Sequence, residues 1–329
     1  MIINSTKIMF LMFMLMSTIM SVSSNNWFGS WIGLEINLMS FIPLMLSKLN
    51  YYSSESMMKY FMIQSMGSMI MLMGIIMSSF KTSLQMDLFI ICGLMTKLGM
   101  APFHMWLPSV MEGLSWFNCT IMLTWQKLAT LMLISYLINI YIVTMPIILS
   151  LIIGAMGGIN QTSLKKIMAY SSINNMGWII ISMKSSMTLW MNYFMIYSMM
   201  IISLTLMLNK MNINYLNQCF MMNFNSMNNM FLSIMLLSMG GLPPMLGFLP
   251  KWMVIQSMMN NNDYLMSIIM LMTSLITLFY YIRISIMMMM VNSEKPKLMK
   301  IMINKKMIFY LMLMNLMGFI FIIIIKSIN

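Results

Sequence analysis

From residue 8 to residue 325 the chain is a succession of apolar runs, near 8–22, 27–47, 57–80, 87–111, 115–138, 146–160, 166–183, 187–209, 227–259, 264–290 and 307–325, parted by short polar clusters. Most runs are long enough, as helices, to cross a hydrocarbon core ~30 Å thick. Inside a bilayer every backbone N–H and C=O must find a partner within the protein, so only helices and closed barrels span it. A barrel needs short strands of alternating polarity, and none is visible. With 60% of residues hydrophobic and 7% charged, no water-soluble class fits. The expectation is an all-α polytopic membrane protein, 1–329 as a single membrane domain, with eleven transmembrane helices. The run at 146–160 is short for a span, and that at 227–259 is long enough to suggest a break within it. The first run, with Lys7 ahead of it and Ser21-Val22-Ser23 behind, also has the layout of a cleavable signal peptide. A single leading basic residue and ten further runs favour a retained helix.

A net charge of +12 in a soluble chain would point to nucleic acid. Its placement here points to a membrane instead. If the helices alternate in direction, one side receives Lys7, Lys48, Lys59, Lys165, Lys166, Lys210, Lys295, Lys297, Lys300, Lys305 and Lys306, with Arg283 near a helix end and able to snorkel to that side. The other side receives Lys81, Lys184 and Lys326. This is the positive-inside pattern, and it sets the N-terminus on the cytoplasmic side or its organellar equivalent.

Cys92, Cys119 and Cys219 form no close pair, and His104 is the only histidine, so a disulfide framework, a metal site or an iron–sulfur ligand set is not expected. No glycine-rich dinucleotide or phosphate loop is present. The 58 methionines read as nucleotide bias in the gene rather than as a copper site, because methionine replaces leucine in a span with little loss.

Four charged groups lie inside apolar runs: Glu35 in the second, Lys97 in the fourth, Lys127 in the fifth and Lys251 in the ninth. About ten residues, or roughly 15 Å of helix, separate Lys97 from either end of its run. Each such group costs about 2.5–3.5 kcal/mol on insertion scales. A static pair of Glu35 with one lysine would explain two of them and leave two lysines over. Groups whose proton affinity is set by burial and by neighbouring charge are candidates for a proton relay.

The same pattern, G-x-x-P-x-x-x-x-L-P, occurs at Gly99–Pro108 and again at Gly241–Pro250, 142 residues on. One copy lies in the fourth run and the other in the ninth. Five spans separate them, so the second copy runs in the opposite membrane direction, as in an inverted repeat. The implied organisation is a first five-helix repeat over 8–138, a second over 146–290, and a C-terminal transmembrane helix over 307–325. Pro102, Pro108, Pro243, Pro244 and Pro250 are expected to break the helices, because proline removes a backbone donor and clashes with the preceding turn. Freed carbonyls in a membrane need protein or water, so each break predicts a polar pocket. His104, in the first break, either passes protons, as an imidazole with an ordinary pKa of ~6.5 can, or bonds a freed carbonyl. Gly154 and Gly158 have the spacing of close helix packing.

The stretches WIGLEINLMSFIPL, KLGMAPFHMWLPSVMEGLSW, MLTWQKLA, GAMGGINQTSLKKIMAYSSINNMGW and LSMGGLPPMLGFLPKWMVIQ closely resemble the NADH dehydrogenase subunit 2 family, mitochondrially encoded membrane subunits of respiratory complex I. The resemblance covers nearly the whole chain. Its methionine excess is like that of arthropod members, and fits a mitochondrial code that reads an extra AT-only codon as Met. The resemblance implies an antiporter-like fold of two inverted five-helix units, eleven spans, and proton translocation coupled to NADH:ubiquinone electron transfer in other subunits. It implies a proton relay of Glu35, Lys97, Lys127 and Lys251, with His104 and Asn175 as relay or water-holding positions. NADH, FMN, iron–sulfur clusters and ubiquinone are expected in other subunits, with no cofactor or metal in this chain. The partners implied are other membrane-arm subunits and lipids, in the mitochondrial inner membrane with the N-terminus on the matrix side. One departure matters: members often carry S-S-I-x-H-x-G-W where this chain reads Ser171-Ser-Ile-Asn-Asn175-Met-Gly-Trp178. An amide cannot take up a proton there, so it can only hold water or orient neighbours. The rival readings are a free-standing cation/proton antiporter, which would favour acidic pairs near the breaks, and a membrane subunit needed only for assembly.

Overall fold

The computed structural model describes residues 5–46, 50–79, 83–137, 140–221 and 226–290. The C-terminal helix expected over 307–325 lies outside the described residues, as do Lys48, Lys81, Lys295, Lys297, Lys300, Lys305, Lys306 and Lys326. The described chain is helical, with no strand beyond an isolated bridge.

The helices follow the apolar runs. They are α1 (Ser5–Ser23), α2 (Trp27–Met45), α3 (Tyr51–Ser79), α4 (Ser83–Leu98), α5 (Trp106–Gly113), α6 (Trp116–Leu123), α7 (Trp125–Tyr136), α8 (Ile140–Gly157), α9 (Leu164–Ser185), α10 (Met187–Met211), α11 (Leu216–Met221), α12 (Ser226–Gly240), α13 (Phe248–Asn260) and α14 (Tyr264–Met290). Among the described residues five of these, α1, α2, α3, α10 and α14, are long and apolar enough to cross a membrane unbroken. The fourth and ninth runs are each two helices joined by a turn, α4/α5 and α12/α13. The fifth run divides as well, into α6 and α7 at Thr124. Thr124 sends both its backbone N–H (3.0 Å) and its Oγ1 (2.6 Å) to the Thr120 carbonyl. Such back-bonding by threonine bends helices, and no proline or glycine announces it in the sequence.

The chain divides into two compact units, Met1–Ile147 and Ile148–Asn329. In the first, α3 and α4 approach closely because a Cβ on Gly93 would lie 2.7 Å from the Gly67 carbonyl oxygen. Pro43 lies inside α2 near its end, where the Asn118 amide donates to the Leu44 carbonyl at 2.8 Å and closes that helix. In the second unit α9 is enclosed on almost every side from Ile167 to Met183. Gly154 packs against it: a Cβ there would meet the Asn174 nitrogen at 2.5 Å. At one end of this unit the Ser163–Tyr215 bridge ties two loops, through Leu164 N–H to Asn214 O and Leu216 N–H to Thr162 O, both 3.0 Å. Arg283 donates from Nη2 to the Ile159 carbonyl at 2.6 Å, in the turn that follows α8. A cation at a helix C-terminus is favoured there.

Candidate functional site

The two copies of the G-x-x-P-x-x-x-x-L-P pattern fold alike. In the first, α4 ends at Leu98 and Gly99 takes φ +70°. Gly99 N–H bonds Thr96 O and Met100 N–H bonds Met95 O, both at 3.2 Å. In the second, α12 ends at Gly240 and Gly241 takes φ +85°. Gly241 N–H bonds Ser238 O at 3.0 Å and Leu242 N–H bonds Leu237 O at 3.4 Å. Both are Schellman terminations with a left-handed glycine after the last helical residue. Helix resumes at Trp106 and at Phe248.

Two of the five prolines act differently from expectation. Pro102, Pro243 and Pro244 lie in the turns, where they keep the chain from continuing as helix. Pro108 and Pro250 break nothing: each is the third residue of the resumed helix, α5 or α13. The first turn of a helix has N–H groups without intrahelical partners, so proline's missing donor is harmless there. At each break the glycine supplies the left-handed torsion that ends the helix, and the prolines of the turn keep it from continuing.

Two carbonyls at the first break also accept from side chains. Trp106 Nε1 donates to Thr96 O at 3.0 Å and Gln64 Nε2 to Lys97 O at 3.4 Å. His104 is buried, and its Nδ1–H donates to the Pro102 carbonyl at 3.2 Å. This bond engages one of the two ring nitrogens.

Lys97 and Lys127 come together at one cavity in the first unit. Its walls include Asn37 of α2, Tyr60 and Gln64 of α3, Lys97 of α4, Trp106 of α5, Met122 of α6, and Gln126, Lys127 and Thr130 of α7. About 20 Å³ of it is open to the centres of water molecules. A single water needs roughly 10–15 Å³ by that measure, so the space accommodates water. Lys97 is 9% exposed and its Nζ makes no hydrogen bond within the described chain. Lys127, 3% exposed, stands in the first turn of α7 just beyond the Thr124 bend. Glu35 is half-buried and does not line the cavity, but its charge acts on both Lys97 and Tyr60.

Lys251 belongs to the second unit. It follows Pro250 in α13 and its Nζ donates to the Gly240 carbonyl at 2.9 Å, at the C-terminus of α12. The ammonium also lies 5.8 Å from the centre of the Trp178 ring. Three residues earlier on α9, and so on the same side of it, Asn175 accepts a hydrogen bond from Tyr193 Oη at 3.2 Å. The sequence marks Asn37, Gln64 and Gln126 only as polar residues within apolar runs. Their common cavity depends on how six helices pack, which no single run displays. Among the described residues no three histidine, cysteine, aspartate or glutamate side chains gather as metal ligands would.

Comparison with known proteins agrees with this architecture. The family model described as "NADH:quinone oxidoreductase/Mrp antiporter, TM" matches residues 24–277. The chain is 44% identical over 299 residues to NADH-ubiquinone oxidoreductase chain 2 of Anopheles gambiae, covering 87% of this chain and 86% of that protein. To its counterpart in Aedes aegypti it is 45% identical over 302 residues, 88% of each. Among solved structures it resembles a chain of respiratory complex I from Thermus thermophilus, with a TM-score of 0.83 at 17% identity over 96% of this chain and 78% of that one. A chain of the membrane-bound sulfane sulfur reductase, an archaeal respiratory membrane complex, gives 0.80 at 17% identity over 94% and 72%. At such identities the structural likeness concerns the fold alone.

Proposed function

This chain belongs to the NADH:quinone oxidoreductase/Mrp antiporter family, and we propose from that premise that it is a proton-translocating membrane subunit of respiratory complex I in the mitochondrial inner membrane. Electron transfer from NADH to ubiquinone takes place in other subunits. This chain's part is to move protons through Lys97, Lys127 and Lys251 under the control of Glu35. The observation that carries the reading is the cavity wide enough for water, onto which two buried lysines open, with a carboxylate in electrostatic reach of one of them.

In this reading, Lys97 keeps its proton while the Glu35 charge acts strongly on it. It releases the proton toward Lys127 when a neighbouring subunit shifts that balance, and Lys251 is the carrier in the second unit. One unit of proton affinity corresponds to about 1.4 kcal/mol, and one charge crossing 100 mV to ~2.3 kcal/mol, so modest electrostatic changes match the work required. The matching glycine terminations at 99 and 241 support two inverted five-helix repeats, and the lysine distribution supports a matrix-side N-terminus.

The test is Lys97→Met in the assembled complex, scored for assembly and for protons moved per electron. Normal assembly with a lowered ratio is the expected result. An unchanged ratio refutes the relay, and failure to assemble with an unchanged ratio in the residual complex would assign Lys97 a packing role.

A further inference from the structure

We propose that the hydrogen-bonded amide pair of Asn37 and Gln126 is a positioning bridge that holds water between Lys97 and Lys127, so that the proton crosses the cavity through amide-ordered water. The inference rests on the relay reading above and adds to it two residues that do not themselves titrate.

Gln126 Nε2 donates to Asn37 Oδ1 at 3.1 Å, and both side chains line the cavity that Lys97 and Lys127 share. The bond joins residues far apart in sequence. Asn37 is two residues past Glu35 on α2, and Gln126 is the immediate neighbour of Lys127 on α7. The bridge therefore ties the helix carrying the acid to the helix carrying the second lysine. It uses one N–H of Gln126 and the oxygen of Asn37, which leaves the Gln126 oxygen as an acceptor and the Asn37 amide as a donor. A buried water is held by about three hydrogen bonds, and Lys97, which lines the same cavity, has no partner for its Nζ within the described chain. Two amides and an ammonium meet that requirement in a space of this size.

The chemistry of the pair suits transfer. The Lys97 ammonium gives a proton to the water, the water passes one of its own to the neutral Lys127 amine, and Lys97 is left neutral. The amides bind throughout and exchange no proton, because a carboxamide neither gains nor loses one in the physiological range. A carboxylate at either place would hold the ammonium as a fixed ion pair. Thr130 completes this wall with its hydroxyl committed to the Lys127 carbonyl at 2.9 Å.

The experiment compares Asn37→Leu, Gln126→Leu, the double variant and Lys127→Met, each in the assembled complex reconstituted in vesicles. Protons moved per electron and the H2O/D2O rate ratio are measured. Each leucine variant is expected to slow coupled proton movement roughly tenfold, the scale of one lost hydrogen bond to a transferring water. The double variant should be no worse than either single one, since both remove the same bridge. The solvent isotope ratio should rise as proton transfer becomes limiting. Parental pumping in both single variants, or effects that add, overturns the bridge. If Lys127→Met abolishes pumping while the leucine variants pump normally, the bridge alone fails; if Lys127→Met also pumps normally, the relay fails with it. Should the leucine variants not assemble, Gln126→Glu keeps the size and adds a titrating group. The pH dependence of pumping then shifts if the side chain faces the transferred proton, and an unmoved profile refutes the proposal.

Discussion

Gly99 and Gly241 are the residues on which the two breaks depend, because each sits in the left-handed region where a Cβ is disfavoured by about 1–2 kcal/mol. The two differ in what a side chain would strike. At Gly99 a Cβ would lie 2.8 Å from Leu107 Cδ1, 3.2 Å from Trp106 Cζ2 and 3.3 Å from Leu107 Cβ, and both residues are buried. At Gly241 it would lie 3.1 Å from both Cδ and Nζ of Lys251. Gly99→Ala should therefore lower the thermal stability of the purified complex by the backbone cost and by the displacement it forces on Trp106 and Leu107. Gly241→Ala should also push the lysine off the Gly240 carbonyl and depress protons moved per electron. Parental pumping in Gly241→Ala would argue against a working role for Lys251.

At the level of elements, the prolines and the threonine bend make opposite predictions. Pro108→Ala and Pro250→Ala restore a donor in a first turn that has no need of it, so the breaks should persist and stability change by under about 1 kcal/mol, as seen by thermal melting and amide exchange. Thr124→Val keeps the shape but removes the Oγ1 bond to Thr120, which should let α6 and α7 approach a continuous helix and turn Lys127 away from its cavity. Reduced pumping with normal assembly is the expected outcome. These elements also mark how far the residues speak for themselves. Apolar runs of the right length yield helices because a buried backbone has few other solutions, and the repeated pattern locates both breaks. Proline stands out in a sequence more than glycine does, yet the torsion that ends α4 and α12 is the glycine's. The bend at Thr124 depends on where one hydroxyl turns, and the meeting of Lys97 with Lys127 on tertiary packing, so neither is legible in a linear pattern.

For the molecule as a whole, α9 offers a direct test of orientation, because its 22 residues extend about 33 Å, enough to cross the hydrocarbon. Lys165 and Lys166 stand at its start and Lys184 at its end, where the last of these forms an ion pair with Asp263. The excess of lysine on one side predicts that an impermeant maleimide reaches a Thr162→Cys variant only from the matrix side and Ser186→Cys only from the other. Labelling of both from one face would refute the arrangement. The outward surface suits a membrane setting as well: Met187, Met191, Met195 and Met199 form an exposed apolar ridge along α10. The bond from Lys251 to Gly240 bears on how fast the proposed relay could run. The amine of Lys251 still has N–H groups to offer the Gly240 oxygen after it surrenders its proton, so the side chain can stay moored while its charge comes and goes. If Lys251 carries protons as proposed, little reorganisation accompanies each cycle there, and the water around it rather than a swinging arm would set the rate.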